Sequence, residues 1–102
     1  MQTYMMLTRL APSSLDTPLK LEHLERKLMA QVRKRCPDVE WIQSYALLGP
    51  YDYVDLFQAP DFDAATRVAT LVRTIGHARV DIWPLVSWSD YKKLLHDRPA
   101  ST

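Results

Sequence analysis

The stretch Leu48-Gly49-Pro50-Tyr51-Asp52-Tyr53-Val54-Asp55-Leu56-Phe57, "LGPYDYVDLF", decides the fold. Its first half is turn chemistry: Pro presets φ, Gly supplies backbone freedom, and an Asp side chain accepts local backbone N–H groups. Its second half alternates side chains of different polarity, as a strand does. Upstream, Val39 to Leu48 reads as a strand ended by Gly49-Pro50, and Tyr51 to Gln58 reads as the next, ended by Ala59-Pro60. So short a gap between two strands predicts an antiparallel hairpin.

The rest of the chain is arranged around that hairpin. Thr3 to Leu10, "TYMMLTRL", reads as a first strand, and Ala11 to Asp16 as a connecting loop. Thr17 is a helix N-cap with Pro18 at the first helical position, where a missing N–H does no harm. Leu21, Leu24, Leu28 and Val32 then recur at helical spacing and mark one apolar face. Arg33, Lys34 and Arg35 close this helix, where cations suit the negative end of its dipole. After the hairpin, Asp61 caps a second helix with Ala65, Val68, Ala69, Val72 and Ile75 as its stripe, and Gly76 reads as its C′ residue. His77 to Val86 is the fourth strand, and Ser87 or Ser89 caps a short amphipathic helix running to about His96.

This β-α-β-β-α-β order predicts an α+β, ferredoxin-like, four-stranded antiparallel sheet with two helices on one face and an extra C-terminal helix. Residues 1–97 form one domain in this reading, and 98–102 a frayed tail.

Composition narrows the function classes. A chain of 102 residues that is 47% hydrophobic suits one core and no second. Thirteen basic against 12 acidic residues leave a formal charge of +1, which gives no electrostatic reason for a nucleic-acid or membrane partner. No apolar run is long enough to span a bilayer, and no secretory signal pattern opens the chain, so a cytoplasmic location is expected. Cys36, the single cysteine, lies beside Lys34 and Arg35, which act to lower a thiol pKa. With no partner motif it reads as an incidental thiol. His23, His77 and His96 fall on different elements with no ligand spacing, so neither a metal nor a cofactor is expected.

Period-two alternation divides each strand between two faces. Val54 and Leu56 oppose Tyr53, Asp55 and Phe57; Ala78, Val80 and Ile82 oppose His77, Arg79, Asp81 and Trp83. Ile42, Ser44 and Ala46 oppose Trp41, Gln43 and Tyr45. The small and aliphatic sets are expected beneath the helices. In the first strand Met5 and Leu7 join them, which leaves Tyr4, Met6 and Thr8 on the far side.

The far face would then carry Tyr4, Tyr45, Tyr53, Phe57 and Trp83 among Gln43, Asp55, Arg79 and Asp81. Aromatic side chains offer about 150–250 Å² each, so five of them exceed what a monomer usually exposes. A homodimer through this face is expected, with a small-ligand pocket on the sheet or between subunits.

With the hairpin placed, the sequence resembles the GYD domain family. The resemblance runs through "YMMLTRL" (Tyr4 to Leu10), "YALLGPYDYV" (Tyr45 to Val54), "QAPDFDAA" (Gln58 to Ala65) and "WPLVSWSDYKKLL" near the C-terminus, and so covers most of the chain. It implies a ferredoxin-like fold of the dimeric α/β-barrel type, in small cytoplasmic proteins of bacteria and archaea with no firmly established activity. The Lys- and Arg-rich first helix and the Trp-rich C-terminal segment depart from the family pattern, and neither suggests a function. The hairpin residues Gly49, Tyr51, Asp52 and Tyr53 are also similar to the Gly-x-Tyr-Asp-Tyr turn of the ligand-sensing domain in leucine-responsive regulators. No helix-turn-helix precedes them here, so that likeness implies a stand-alone sensor or binding module.

Each candidate residue has a structural and a chemical reading. Asp52 and Gly49 read first as hairpin architecture. Asp55, Arg79 and Asp81 read as cross-strand or cross-subunit ion pairs, or as a cluster that orients a ligand or supplies a base. His77 is the one histidine placed to shuttle a proton. Ligand-binding positions are then Tyr4, Tyr45, Tyr53, Asp55, Phe57, Arg79 and Trp83. The leading expectation is a small dimeric module that binds a partly apolar ligand. The alternatives are a cofactor-free monooxygenase, isomerase or decarboxylase using Asp55, Asp81 or His77, and a purely structural dimer.

Overall fold

A computed structural model describes residues 1–12 and 17–96. The elements are β1 (Gln2–Arg9), α1 (Pro18–Arg35), β2 (Glu40–Ala46), β3 (Tyr53–Ala59), α2 (Phe62–Gly76), β4 (Arg79–Leu85) and α3 (Trp88–His96). Part of the expected connecting loop (13–16) and the expected C-terminal tail lie outside the described residues. Among those residues, no helix is long and apolar enough to cross a membrane.

The sheet order is β2-β3-β1-β4, with every neighbouring pair antiparallel. Strands joined through a helix therefore run parallel but are separated by one intervening strand, as the right-handed crossovers of a ferredoxin-like sheet require. Helix starts follow the local chemistry. The Thr17 hydroxyl accepts from the Lys20 N–H at 3.1 Å with Pro18 behind it, and the Asp61 carboxylate accepts from the Ala64 N–H at 2.8 Å. Ser87 caps α3, accepting from the Asp90 N–H at 3.0 Å.

Two helix-end and turn expectations are corrected. Gly76 is the last residue of α2, and His77 takes the left-handed conformation at φ 50° and ψ 39°. His is among the residue types enriched there, because its side chain tolerates the crowding better than a branched one. Gly49 takes no positive φ and has open space around the position of a Cβ, so its lack of a side chain is not demanded by the turn.

The core sits under α2 and the C-terminal end of α1. Ala64, Ala65, Val68, Ala69 and Val72 of α2 are buried, with Val32 and Cys36 beside them. A stripe this rich in alanine lets the helix lie close on the sheet, where Tyr4 and Phe57 are wholly buried. The rings stack in a row, with Trp41 and Phe57 centroids 5.3 Å apart and Tyr4 and Phe57 5.8 Å apart. Arg73 ties α2 to β4 by donating to the Val80 carbonyl at 3.2 Å. Burial pushes the Cys36 thiol pKa up, with Arg67 opposing the rise and Asp38 adding to it; the lowering expected from Lys34 and Arg35 is not what the fold produces.

The face assignment of two strands is inverted relative to the sequence expectation. Tyr4, Met6 and Thr8 are buried beneath the helices, and their cross-strand partners Phe57, Asp55 and Tyr53 share that face. Met5, Leu7, Val54 and Leu56 therefore lie on the opposite, open face. Alternation tells which residues share a face but not which face is covered. The helices cover the side with the larger aromatic area, and Asp55 goes with it because it lies between Tyr53 and Phe57 on the same strand. β4 behaves as expected, with Val80 and Ile82 inward and Arg79, Asp81 and Trp83 outward. In β2 a bulge between Trp41 and Gln43 resets the alternation, so Trp41 packs inward on Phe57 and Ile42 is exposed.

Candidate functional site

The hairpin is held to β1 by Asp52. Its Oδ2 accepts from the Leu10 N–H at 2.8 Å, and its own N–H donates to the Thr8 carbonyl at 2.8 Å. The backbone N–H that this carboxylate engages thus belongs to the end of β1, not to the turn as expected. Asp52→Ala is expected to cost about 1–3 kcal/mol by stranding a partly buried N–H, while Asp52→Asn, which keeps an acceptor oxygen, costs much less. Urea denaturation of the two variants measures the difference. On the open face, the Tyr51 hydroxyl donates to the Asp81 carboxylate, and this bond, with desolvation and the Asp81 charge, raises the tyrosine pKa.

The second half of the hairpin strand leads to a different place. α1 spans 18 residues, yet only Val32 near its C-terminal end is buried. Leu21, Leu24 and Leu28, on the same stripe, are only half-buried because they line a cavity of about 500 Å³ between α1 and the sheet. That volume falls in the range of about 300–1,000 Å³ typical of small-molecule sites. Met6, Leu10, Met29, Trp41 and Val72 supply further apolar wall, while Thr8, Ser44, Tyr53 and Asp55 bring polar atoms from the sheet. Glu22, Glu25, Arg26 and Arg33 come from the helix.

Asp55 and Thr8 are the unusual groups. Desolvation raises the Asp55 pKa, the Glu25 charge raises it further, and a hydrogen bond from Ser44, its cross-strand partner, opposes both. Ser44 Oγ in turn accepts from Trp41 Nε1 at 2.8 Å, which fixes the indole at the cavity wall. Tyr53 also holds its proton more tightly than usual, through desolvation first and then the charges of Asp52, Glu25 and Asp55. Thr8 is buried to 3% exposure, and its Oγ1 has no hydrogen-bond partner among the described residues. A buried hydroxyl without a partner costs about 1–3 kcal/mol, so it marks a place where a further group is wanted.

A raised carboxyl pKa in the folded state has a defined consequence for stability. The contribution is fully present below the unfolded-state carboxyl pKa and is lost as pH rises through the folded value. Asp55→Asn is therefore expected to be more stable than the parent at neutral pH, with the gain shrinking as pH falls toward the unfolded-state carboxyl range. Thermal melts of both proteins across that interval test the sign; a gain that grows on acidification contradicts it.

The expected ligand-binding set is thus divided. Tyr53 and Asp55 line the cavity, Tyr4 and Phe57 are core with no exposed surface, and Tyr45, Arg79 and Trp83 are exposed on the other side of the sheet with Asp81. His77 stands exposed at the α2–β4 junction, away from the cavity lining. Thr8, Ser44, Trp41 and Glu25 are site residues that the sequence reading does not single out. Trp41 is hidden by the bulge, and Thr8 by its place in an apolar strand. The one available signal is α1 itself, a stripe of leucines on a helix whose other positions are strongly charged. Among the described residues, no group of three or more His, Cys, Asp or Glu side chains is placed to hold a metal ion.

The architecture defines a ferredoxin-like α+β domain with a partly apolar cavity on its helical side. Residues 4–95 match the GYD domain, and the chain belongs to that family. No curated protein matches the sequence. The fold is similar to that of TTHA0845 from Thermus thermophilus, at 20% identity and a TM-score of 0.58 over 85% of this chain and 95% of that one. It is also similar to FFRP-DM1, at 17% identity and a TM-score of 0.56 over 84% of this chain and all (100%) of the other. A third similar structure is the leucine response regulatory protein LrpA of Mycobacterium tuberculosis, at 18% identity and a TM-score of 0.55 over 84% of this chain. The match spans 51% of LrpA, so this chain corresponds to about half of that protein.

Proposed function

We propose that this GYD domain is a small-molecule binding module whose ligand lies between α1 and the sheet. The observation that carries the reading is the cavity of about 500 Å³ lined by Thr8, whose buried hydroxyl lacks a partner. Its walls are largely apolar and its few polar groups converge from β1, β2 and β3, the usual construction of a site that buries and orients a small ligand. An open cavity of this size supports binding over a purely structural role.

Native mass spectrometry of freshly purified protein is expected to show a retained small molecule, at one per chain. Leu24→Trp, which fills the cavity from the helix side, removes it. A parent protein that carries nothing and binds an apolar fluorescent probe no better than Leu24→Trp overturns the reading. A second reading, acid–base catalysis in the same cavity, is favoured by Asp55 and Tyr53 both retaining their protons more tightly than usual. Consumption of dissolved oxygen on addition of a small aromatic substrate would separate catalysis from binding.

The partner in this reading is a second copy of the chain, docked through the open sheet face. Half-buried Met5, Leu7, Val54 and Leu56 form its centre, with exposed Tyr45, Trp83 and Leu85 around them. Apolar side chains at the centre of an uncovered sheet face suit an interface with a second copy, for which about 800 Å² per partner is usual. The nine residues of α3 are also exposed throughout, including Trp88, Tyr91, Leu94 and Leu95, and extend the apolar area.

A further inference from the structure

We propose that the cavity beneath α1 selects an apolar molecule bearing a protonated amine, with the Asp55 and Glu25 carboxylates as counter-charges and the Thr8 hydroxyl as an acceptor. The proposal rests on the reading of this cavity as a ligand site and names the chemistry it takes.

An ammonium group carries three N–H donors and no acceptor. The cavity offers three acceptor groups on different elements: Thr8 on β1, Asp55 on β3 and Glu25 on α1. Thr8 is the decisive one, since its Oγ1 is buried and has no partner among the described residues. Glu25 lies close enough for its charge to be felt at both Asp55 and Tyr53. Arg26 and Arg33 also border the cavity, but neither is among the charges that act on those two groups. Asp55 and Glu25 bring carboxylates to the cavity from opposite sides, and Glu25 acts on both sheet groups. Trp41 and Tyr53 add aromatic rings to the lining, a residue type that suits a cation, while Leu10, Leu24 and Leu28 suit the apolar body.

Other ligand chemistries fit less well. A carboxylate would be placed against Asp55 and Glu25, and a neutral molecule would leave a desolvated Asp55 without a counter-charge. The titratable groups facing the cavity are Glu22, Glu25, Arg26 and Arg33 from α1 and Tyr53 and Asp55 from β3; β1, β2 and α2 add none to the lining. Because Asp55 must ionise to pair with an amine, affinity for the amine rises with pH through the Asp55 titration, until the amine itself begins to lose its proton near a pKa of about 10.

The test is isothermal titration calorimetry of the whole chain with three probes of one shape: 2-phenylethylamine, 2-phenylethanol and 3-phenylpropanoate. The amine is expected to bind about tenfold or more tighter than the alcohol, as a charge-assisted contact does, with the carboxylate weakest. In Asp55→Asn the amine and alcohol should converge to within about twofold, while alcohol binding persists. Alcohol or carboxylate binding that equals or exceeds the amine, and is lost in Leu24→Trp, overturns the amine preference and leaves the cavity as a ligand site. An amine preference that survives Asp55→Asn overturns the assignment of Asp55. Failure of all three probes to bind counts against both the preference and the cavity.

Discussion

Phe57→Ala is expected to destabilise the fold by about 3–5 kcal/mol, a large share of the roughly 5–15 kcal/mol that a domain possesses. Phe57 has no exposed surface and lies between Trp41 and Tyr4, with ring centroids at 5.3 and 5.8 Å. Removing its ring takes the shared partner from both stacks and leaves a cavity under α2 that neighbouring β-strands cannot close. Trp83→Ala is the control. That ring is 53% exposed on the open face, and its loss should change the stability of the single chain by no more than about 0.5 kcal/mol. Urea denaturation under dilute conditions reports both. A larger loss at Trp83 than at Phe57 would mean that the helices cover the other face of the sheet.

Leu7→Glu is expected to convert the proposed dimer into a folded monomer. Leu7 lies on β1, one of the two central strands, opposite Val54 and Asp81, on the face proposed to meet a second copy. In a single chain the new carboxylate reaches water from a half-buried position. In a face-to-face pair it would be buried in both copies at once, near the centre of an apolar interface. Desolvation and like-charge repulsion then act together, and every 1.4 kcal/mol or so of that cost weakens association about tenfold. Size-exclusion chromatography with light scattering should give a dimer for the parent protein and a monomer for the variant, with matching circular dichroism. A parent protein that is monomeric at micromolar concentration removes the basis of the proposal. A variant that still dimerises places the interface elsewhere, with the exposed apolar stripe of α3 as the next surface to test.

Much of the fold was legible because local chemistry and global order agree in this chain. Thr17-Pro18, Asp61 and Ser87 start helices where caps are expected, and all four strands overlap the alternating runs, with β1 and β3 each reaching one residue beyond them. Boundaries moved only at the ends. Tyr51 and Asp52 belong to the turn rather than to β3, because Asp52 is engaged with β1 through Leu10 and Thr8. The left-handed residue after α2 is His77 and not Gly76, a choice that depends on where the helix is last able to bond.

The site was legible only in part. Strand pattern singles out Asp55 and Tyr53 but assigns them to the face between two sheets rather than the one beneath α1. A charged residue on a strand suggests an open face when read alone. Here Asp55 is drawn inward by its neighbours, since Phe57 two residues on and Met6 across the register are core. Its cost is moderated by Ser44 and by the space that α1 leaves above it.

By itself, the sequence determined the number and order of the elements, the hairpin at Gly49 to Asp52 and the caps that begin each helix, because each depends on residues adjacent in the chain. Only the tertiary structure decided which face of the sheet is covered, that the bulge turns Trp41 inward, and that α1 stands off far enough to leave a cavity over Thr8 and Asp55. Those features depend on how large rings from three strands stack beneath an alanine-lined helix, a sum over contacts between residues far apart in sequence that no local pattern records.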